Sequence, residues 1–392
     1  MTAKEAAAEL NVSVATLYAY VSRGIIRSEA KAGTRARRYS AADIRMLLEK
    51  NKIVSRKTDV ADALSFGAPL LESEITFTDG KKLYFRGRDV SLLAQTCESL
   101  ESVAMLIWDC KGANVFAQMP PEIPDSYAPI MDAVGAERSL VKCQALLPLL
   151  GERDVRAYDL SADGGARAGA IVLRLMTALI SGTRPSKIAV HDVLSSAWRR
   201  EKHAHLLRSA LILAADHELN ASTFTVRVAS SAGASLYHAV AAGLATLQGA
   251  RHGGEIERTY RLLREILDSD LDPAEIVAAS MRRGDVVPGF GHPLYPSGDP
   301  RARTLCAMMD EVFASEQERS VLEAVAIAES IAGKHLNFDG ALAVLTVQLG
   351  LPASSGLYLL AIGRVVGWVG HAIEQYRSQR LIRPRARYVG LR

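Results

Sequence analysis

Gly289-Phe-Gly-His-Pro-Leu-Tyr-Pro-Ser-Gly-Asp-Pro-Arg-Ala302 is the stretch on which the reading of this chain turns. It is a polar, glycine-flanked island between two helical patterns. Its glycines let a ligand approach the backbone, and such loops are where functional side chains concentrate. Three further islands of this kind occur: Asp216-His-Glu-Leu-Asn-Ala-Ser-Thr223, His252-Gly-Gly254 and Asn337-Phe-Asp-Gly340. Beyond them come Arg364, inside the apolar run Ala361–Trp368, and then Arg383 and Arg385 on either side of Pro384.

Together the loops supply three histidines, His217, His252 and His292, and the carboxylate Asp339. No zinc-ligand spacing relates them, so no metal is expected. The set suits proton transfer to and from carbon and oxygen. Arg301, Arg364 and Arg383 can clamp carboxylates bidentately, which makes the expected substrate a small polyanion. An isolated buried charge is costly, so Arg364 needs an anionic partner. Taken singly, a histidine is more often a structural hydrogen-bonder, Asp339 an N-cap, and Asp299-Pro300 a turn. Four such islands in one chain favour a site.

Composition agrees with a helical, globular chain. Its 392 residues suggest two or three domains, and 49% apolar with 23% charged residues excludes collagen-like, disordered and coiled-coil classes. Aromatics are only 6%, and the apolar share is Ala, Leu and Val, which favours helices over sheets. Apolar residues recur at helical spacing over 99–108, 140–150, 167–180 and 204–217. Ile75–Tyr84 reads as a small hairpin with Asp79-Gly80 at its turn. The four cysteines form no C-x-x-C pair, so neither a disulfide framework nor a zinc site is expected, and a reducing, cytoplasmic setting is. The polar N-terminus carries no signal-peptide pattern. The apolar region 341–370 is broken by Gln348, Pro352 and Arg364, which predicts buried helices and no membrane span. Walker, H-E-x-x-H and complete G-x-G-x-x-G motifs are absent.

Charge separates the N-terminus from the rest. Residues 1–60 hold twelve Lys/Arg against six Asp/Glu, while the remaining residues hold 35 against 37. Basicity confined to one end points to an anionic partner there, nucleic acid first. Thr2 to Glu5 fits a capping box before a short helix. Asn11-Val-Ser13 is a turn with Ser13 as N-cap of a second helix, whose Val14, Leu17 and Val21 share a face and which Gly24 ends. Thr16, Tyr20, Ser22 and Arg23 lie outward, as side chains suited to phosphates and base edges. A Gly33-containing loop with Arg35, Arg37 and Arg38 follows, and Ser40–Asp43 opens a third helix. The segment KEAAAELNVSVATLYAYVSRGII…RRYSAADI resembles the winged helix-turn-helix of MerR-like and excisionase-like regulators. That resemblance implies a DNA-binding domain over 1–55, with Thr16, Tyr20, Arg23, Arg35, Arg37 and Arg38 as candidate contacts and a linker near 51–58.

Residues 70–392 resemble citrate synthases of the bacterial type. LYFRGRDV (83–90), DHELNASTF (216–224), HGG (252–254), GFGHPLYPSGDPRA (289–302) and AIGRVVGWVGHAIEQ…RLIRPRARYVG (361–390) match that family in order and spacing. The resemblance implies a mainly α fold over 56–392. A large helical domain would be joined by a small one, roughly 255–340, that closes over a cleft. It also implies a homodimer with composite sites, condensation of an acyl-CoA with oxaloacetate, and no cofactor beyond the acyl-CoA substrate. By the same resemblance His252 holds the thioester oxygen as the enolate forms, Asp339 takes the methyl proton and His292 protonates the oxaloacetate carbonyl. His217, Arg301 and Arg364 bind oxaloacetate, and Arg383 comes from the partner subunit.

Several residues depart from the family pattern. Arg251 precedes the HGG where an apolar residue is usual, and Glu255-Ile256 follows it in place of Ala-Asn. Pro293-Leu-Tyr-Pro296 stands where basic residues commonly meet coenzyme A. Gly340-Ala-Leu342 replaces an aromatic-Tyr-Ser run. The triad and carboxylate clamp are thus complete while the coenzyme A wall is altered. Two functions follow: a citrate or 2-methylcitrate-forming acyltransferase carrying a DNA-binding-like head, or a transcription regulator that senses a carboxylate with little turnover.

Overall fold

The structure is a computed structural model and describes residues 2–10, 14–22, 26–30, 37–40, 43–44, 71–112, 114–135, 138–386 and 388–391. The chain divides into two compact units, Met1–Glu72 and Ser73–Arg392.

In the first unit, helices Ala3–Glu9 and Val14–Ser22 precede two antiparallel strands, Ser28–Ala30 and Arg37–Tyr39, paired with Ser28 opposite Tyr39. Ala6, Ala7, Leu10, Leu17, Ile26, Tyr39 and Ile44 form a small core of their own. Arg27 ties the strands to the next helical turn. Its backbone N–H, Nε and Nη2 donate to the Asp43 carboxylate at 2.9, 3.0 and 2.8 Å. Those hydrogen bonds hold the Asp43 carboxyl well below the usual carboxylate range. Thr16 and Tyr20 sit one turn apart on the second helix, both partly exposed, and Arg37 is exposed on the second strand beside Arg38. Arg23, Arg35, Ser13, Gly24, Gly33, the 51–58 linker and the 55/56 boundary lie outside the described residues.

The second unit opens with the expected hairpin. Thr76–Thr78 pairs antiparallel with Leu83–Phe85, to which Arg88–Asp89 adds a third short strand. The turn is longer than Asp79-Gly80 alone. Asp79 Oδ1 accepts from the Lys81 and Lys82 N–H groups at 2.8 and 2.7 Å, and Gly80 takes φ +81°.

Helices Leu100–Ile107, Ser139–Gly151, Ala162–Ser181 and Ala204–Ala214 realise the four periodic stretches. The last stops at Ala214, short of the apolar pattern that runs to His217. Two local features turn the chain there. Asp216 accepts the Glu218 N–H at 3.1 Å, and Glu218 adopts φ +52°. His217 is therefore delivered on a loop.

The long helix Ser354–Ser378 runs through the core and packs against Ala162–Ser181, Ala204–Ala214 and Ala221–Ser231. Its glycines permit unusually close approach. A Cβ at Gly363 would stand 2.6 Å from the Leu211 carbonyl oxygen, and one at Gly367 would stand 2.5 Å from that of Ala215. The Gly367 N–H in fact donates to the Ala215 oxygen at 2.8 Å. This contact seats Arg364 against the end of the Ala204–Ala214 helix. Ala162–Ser181 and Ser354–Ser378 are long and apolar enough to cross a membrane, but 83% and 94% of their apolar windows are buried inside the protein. Helices Gly254–Asp268, Pro273–Arg282, Pro300–Val312, Glu316–Ala332 and Phe338–Gln348 form a second packed group, and two of them, Gly254–Asp268 and Phe338–Gln348, also meet the long helix.

Candidate active site

Each island sits where a helix begins or ends. Asn220 caps Ala221–Ser231 through its side chain, Asp299 caps Pro300–Val312, and Asn337 caps Phe338–Gln348. The caps fix the geometry of the loops that carry His217, His292 and Asp339.

His217 is buried, and its Nε2 lies 3.0 Å from the Tyr295 hydroxyl. The His292 ring stands edge-on to it, with centroids 5.1 Å apart. Burial, and then the charges of Arg301 and Arg364, with His292 and His252 adding to the shift when protonated, push His217 well below its ordinary pKa, so it is a neutral ring. The Leu294 N–H donates to His292 Nδ1 at 3.2 Å, which leaves Nε2 to carry the hydrogen of the neutral imidazole. Burial, assisted by Arg301, lowers His292 to about 4.

His252 Nε2 lies 2.9 Å from the Ser222 hydroxyl. That hydroxyl also receives the Trp368 indole N–H at 3.3 Å and lies 2.7 Å from Asn220 Oδ1. A hydroxyl has one hydrogen to give. Asn220 Oδ1 can only accept, so it takes that hydrogen, and the neutral His252 ring donates its Nε2–H to Ser222 Oγ, which leaves Nδ1 unprotonated. Burial and Arg364 lower His252 to about 4, so this ring too is neutral at pH 7.

The two arginines are held by different means. Arg301 Nε and Nη2 donate to the two Asp299 oxygens at 3.0 and 2.7 Å, and its guanidinium lies 4.7 Å from the Phe338 ring centroid. Arg364 Nε donates to the Ala214 carbonyl at 2.9 Å, and burial lowers its pKa to about 10. A guanidinium has five donors, and these contacts use two on Arg301 and one on Arg364.

Asp339 lies on the first turn of Phe338–Gln348 and is partly buried. Burial raises its carboxyl to about 6, with Glu255 and Asp299 adding to the rise and Arg301 and Arg364 opposing it. The sequence-predicted His217, His252, His292, Arg301, Asp339 and Arg364 thus form one electrostatic cluster. Arg383 is not brought into it. It is exposed beyond the long helix, next to Ile382, whose N–H donates to Ser231 Oγ at 3.0 Å. A separate surface cleft of about 540 Å³, lined by Ile123, Met131, Lys142, Leu179 and Arg184 among others, contains none of these residues.

Sequence reading missed four contributors: Tyr295, Ser222, Asp299 and Glu255. Tyr295 belongs to the Pro293–Pro296 stretch expected at the coenzyme A wall, yet it turns inward to His217 while Pro293 and Pro296 are exposed. Asp299 had a signal in its place two residues before Arg301. Ser222 lies inside the quoted DHELNASTF stretch, but nothing in the sequence links it to His252, thirty residues on.

Residues 152–385 match the citrate synthase C-terminal domain family, and residues 1–52 match a helix-turn-helix domain family. A citrate synthase of Haloferax volcanii is 33% identical over 361 residues, covering 83% of this chain and 94% of that protein. A 2-methylcitrate synthase of Shewanella oneidensis is 30% identical over 193 residues, about half of each chain (48% and 51%). The crystal structure of citrate synthase from Thermotoga maritima superposes with a TM-score of 0.67 at 27% identity, covering 83% of this chain and 94% of that one. The chain belongs to the citrate synthase family.

Proposed function

We propose that the Ser73–Arg392 unit condenses acetyl-CoA, or another short acyl-CoA, with oxaloacetate to give citrate, or 2-methylcitrate, and coenzyme A. The observation that carries this reading is the pairing of a carboxylate of raised basicity, Asp339, with two neutral histidines and two buried arginines. A thioester methyl is a weak carbon acid, so its base and its oxyanion donor must act together. Asp339 removes the proton while the neutral His252 holds the developing enolate oxygen. The enolate carbon attacks the oxaloacetate carbonyl as His292 Nε2–H donates to its oxygen. Arg301, Arg364 and His217 hold the dicarboxylate in place. Water then cleaves the citryl thioester. Closure of a small domain, roughly 255–340, would exclude water until condensation is complete.

Release of free thiol from acetyl-CoA or propionyl-CoA, dependent on oxaloacetate, tests the reading. Turnover in the ordinary range of roughly 1–1,000 per second supports it. Thiol release indifferent to oxaloacetate, or none, refutes it. No cofactor beyond the acyl-CoA enters this chemistry. The homodimer, with Arg383 donated to the partner's site, belongs to the same reading and is tested by sedimentation.

The helix-turn-helix match and the basic N-terminus favour a second activity of the first unit, sequence-specific DNA binding through Thr16, Tyr20, Arg23, Arg35, Arg37 and Arg38. A dimer would present two such heads to a palindromic site.

A further inference from the structure

We propose that Glu255 is a positioning residue for the condensation, a clasp that joins the Gly254–Asp268 helix that follows His252, the His292 loop and the Asp339 helix and places a negative charge beside the base. This inference rests on the acyltransferase reading above.

The clasp is a continuous chain of hydrogen bonds. Glu255, on the first turn of Gly254–Asp268, accepts the Gly289 N–H on Oε1 at 2.8 Å. The Gly289 carbonyl accepts the Asn337 N–H at 2.8 Å. Asn337 then caps the Asp339 helix, its Oδ1 taking the Gly340 N–H at 2.9 Å, and its Nδ2 donates to the Gly291 carbonyl at 3.1 Å, one residue before His292. Gly289 makes this possible. It adopts φ +85°, and a Cβ there would meet Thr259 Oγ1 at 2.5 Å and the Gly340 Cα at 3.1 Å. Glu255 Oε2 is tied in turn to the Arg258 guanidinium at 2.5 Å.

The charge matters as well as the bond. The groups that act on Asp339 come from three elements: Glu255 from its own helix, Asp299 and Arg301 from the start of Pro300–Val312, and Arg364 from the long helix. Two cations draw the Asp339 carboxylate toward its ionised form, which would weaken it as a base. Glu255, although paired through Oε2 with Arg258, offsets part of that pull, and so keeps Asp339 basic enough to take a carbon-bound proton.

Two variants separate the bond from the charge. Glu255→Gln keeps an acceptor for the Gly289 N–H and removes the charge, whereas Glu255→Ala removes both. In Glu255→Gln the acid limb of kcat/KM should move to lower pH by about half a unit or more, with the KM for oxaloacetate little changed. In Glu255→Ala kcat should fall by roughly tenfold or more at every pH, and the Gln variant should recover most of that loss. A Gln profile superimposable on the parent, or an Ala variant as active as the parent, overturns the proposal. A readout without turnover keeps the two readings apart. The pH above which Asp339→Asn raises the thermal midpoint should fall in a Glu255→Gln background. A parent that does not condense while this shift is present refutes the acyltransferase reading alone. An active parent whose shift is absent refutes the clasp alone.

Discussion

Asp339→Asn should make the protein more stable, and only above the pH at which Asp339 ionises. Burial takes the carboxyl from its ordinary 3.8 to about 6, against the attraction of Arg301 and Arg364. Desolvation together with the neighbouring carboxylates therefore outweighs the two cations. Because the folded pKa lies above the unfolded one, the folded chain holds this proton more tightly. The resulting stability is complete below about pH 4 and is lost as pH rises through about 6. An asparagine is neutral throughout and never incurs that loss. A rise of about two pKa units corresponds to roughly 3 kcal/mol at pH 8. With an unfolding entropy of about 2.1 cal/mol/K per residue, that is a gain of roughly 4 °C in the thermal midpoint of a unit this size. Thermal unfolding of parent and variant at pH 8 and at pH 4 makes the comparison. The gain should be present at the first pH and absent at the second. A variant no more stable at pH 8, or a gain of equal size at both, would refute the account of Asp339 as a carboxylate held against its preferred ionisation. The same ionisation sets activity with the opposite sign: kcat/KM should fall as pH drops below about 6, while His252 and His292, at about 4, stay neutral across that range.

Asp339→Asn and His292→Ala should each abolish oxaloacetate-dependent thiol release while sedimentation of the protein is unchanged; activity within a few-fold of the parent would sink either role. Arg383→Ala should impair turnover, and the parent should sediment as a dimer at micromolar concentration; a monomer of full activity contradicts the composite site. Gly367→Ala should destabilise the fold by roughly 1–3 kcal/mol, because its Cβ would crowd the Ala215 oxygen and Asp216 Oδ1, and urea unfolding reads this directly. Reversing Arg35, Arg37 and Arg38 to Glu should remove DNA binding and leave citrate formation intact. In the parent, each neutralised phosphate should add roughly −0.9 to the slope of log affinity against log salt, so salt-insensitive or undetectable binding to genomic fragments favours a head that does not bind DNA.

What the sequence disclosed and what it withheld divide along a physical line. Residues whose chemistry is costly where they stand were legible singly. Arg364 in an apolar helix demanded a partner, and the glycines of 289–298 demanded a loop, because a buried charge and a positive φ each leave few alternatives. The hairpin and the long helices were legible because period and turn chemistry are local. The end of the Ala204–Ala214 helix was not, since the apolar pattern continues to His217 while the chain turns at the Asp216 bond to the Glu218 N–H and at the positive φ of Glu218, with the Gly367 N–H on the Ala215 oxygen 152 residues away.

The same distinction explains the site. Histidine, arginine and aspartate announce themselves by type, but the groups that bond to them and to their loops do so only by position. Tyr295 on His217, Ser222 on His252 and Glu255 on Gly289 span 78, 30 and 34 residues of sequence. In the sequence Glu255 stands among the departures from the resemblance to citrate synthases. In the fold it bonds the backbone of the His292 loop and raises the basicity of Asp339. A departure from a family pattern beside a reacting group is therefore ambiguous in sequence. Whether it disables or retunes the site depends on which atoms it reaches. Here the carboxylate reaches a backbone N–H that needs an acceptor and acts on a base that two arginines would otherwise weaken, so retuning is the reading the physics favours.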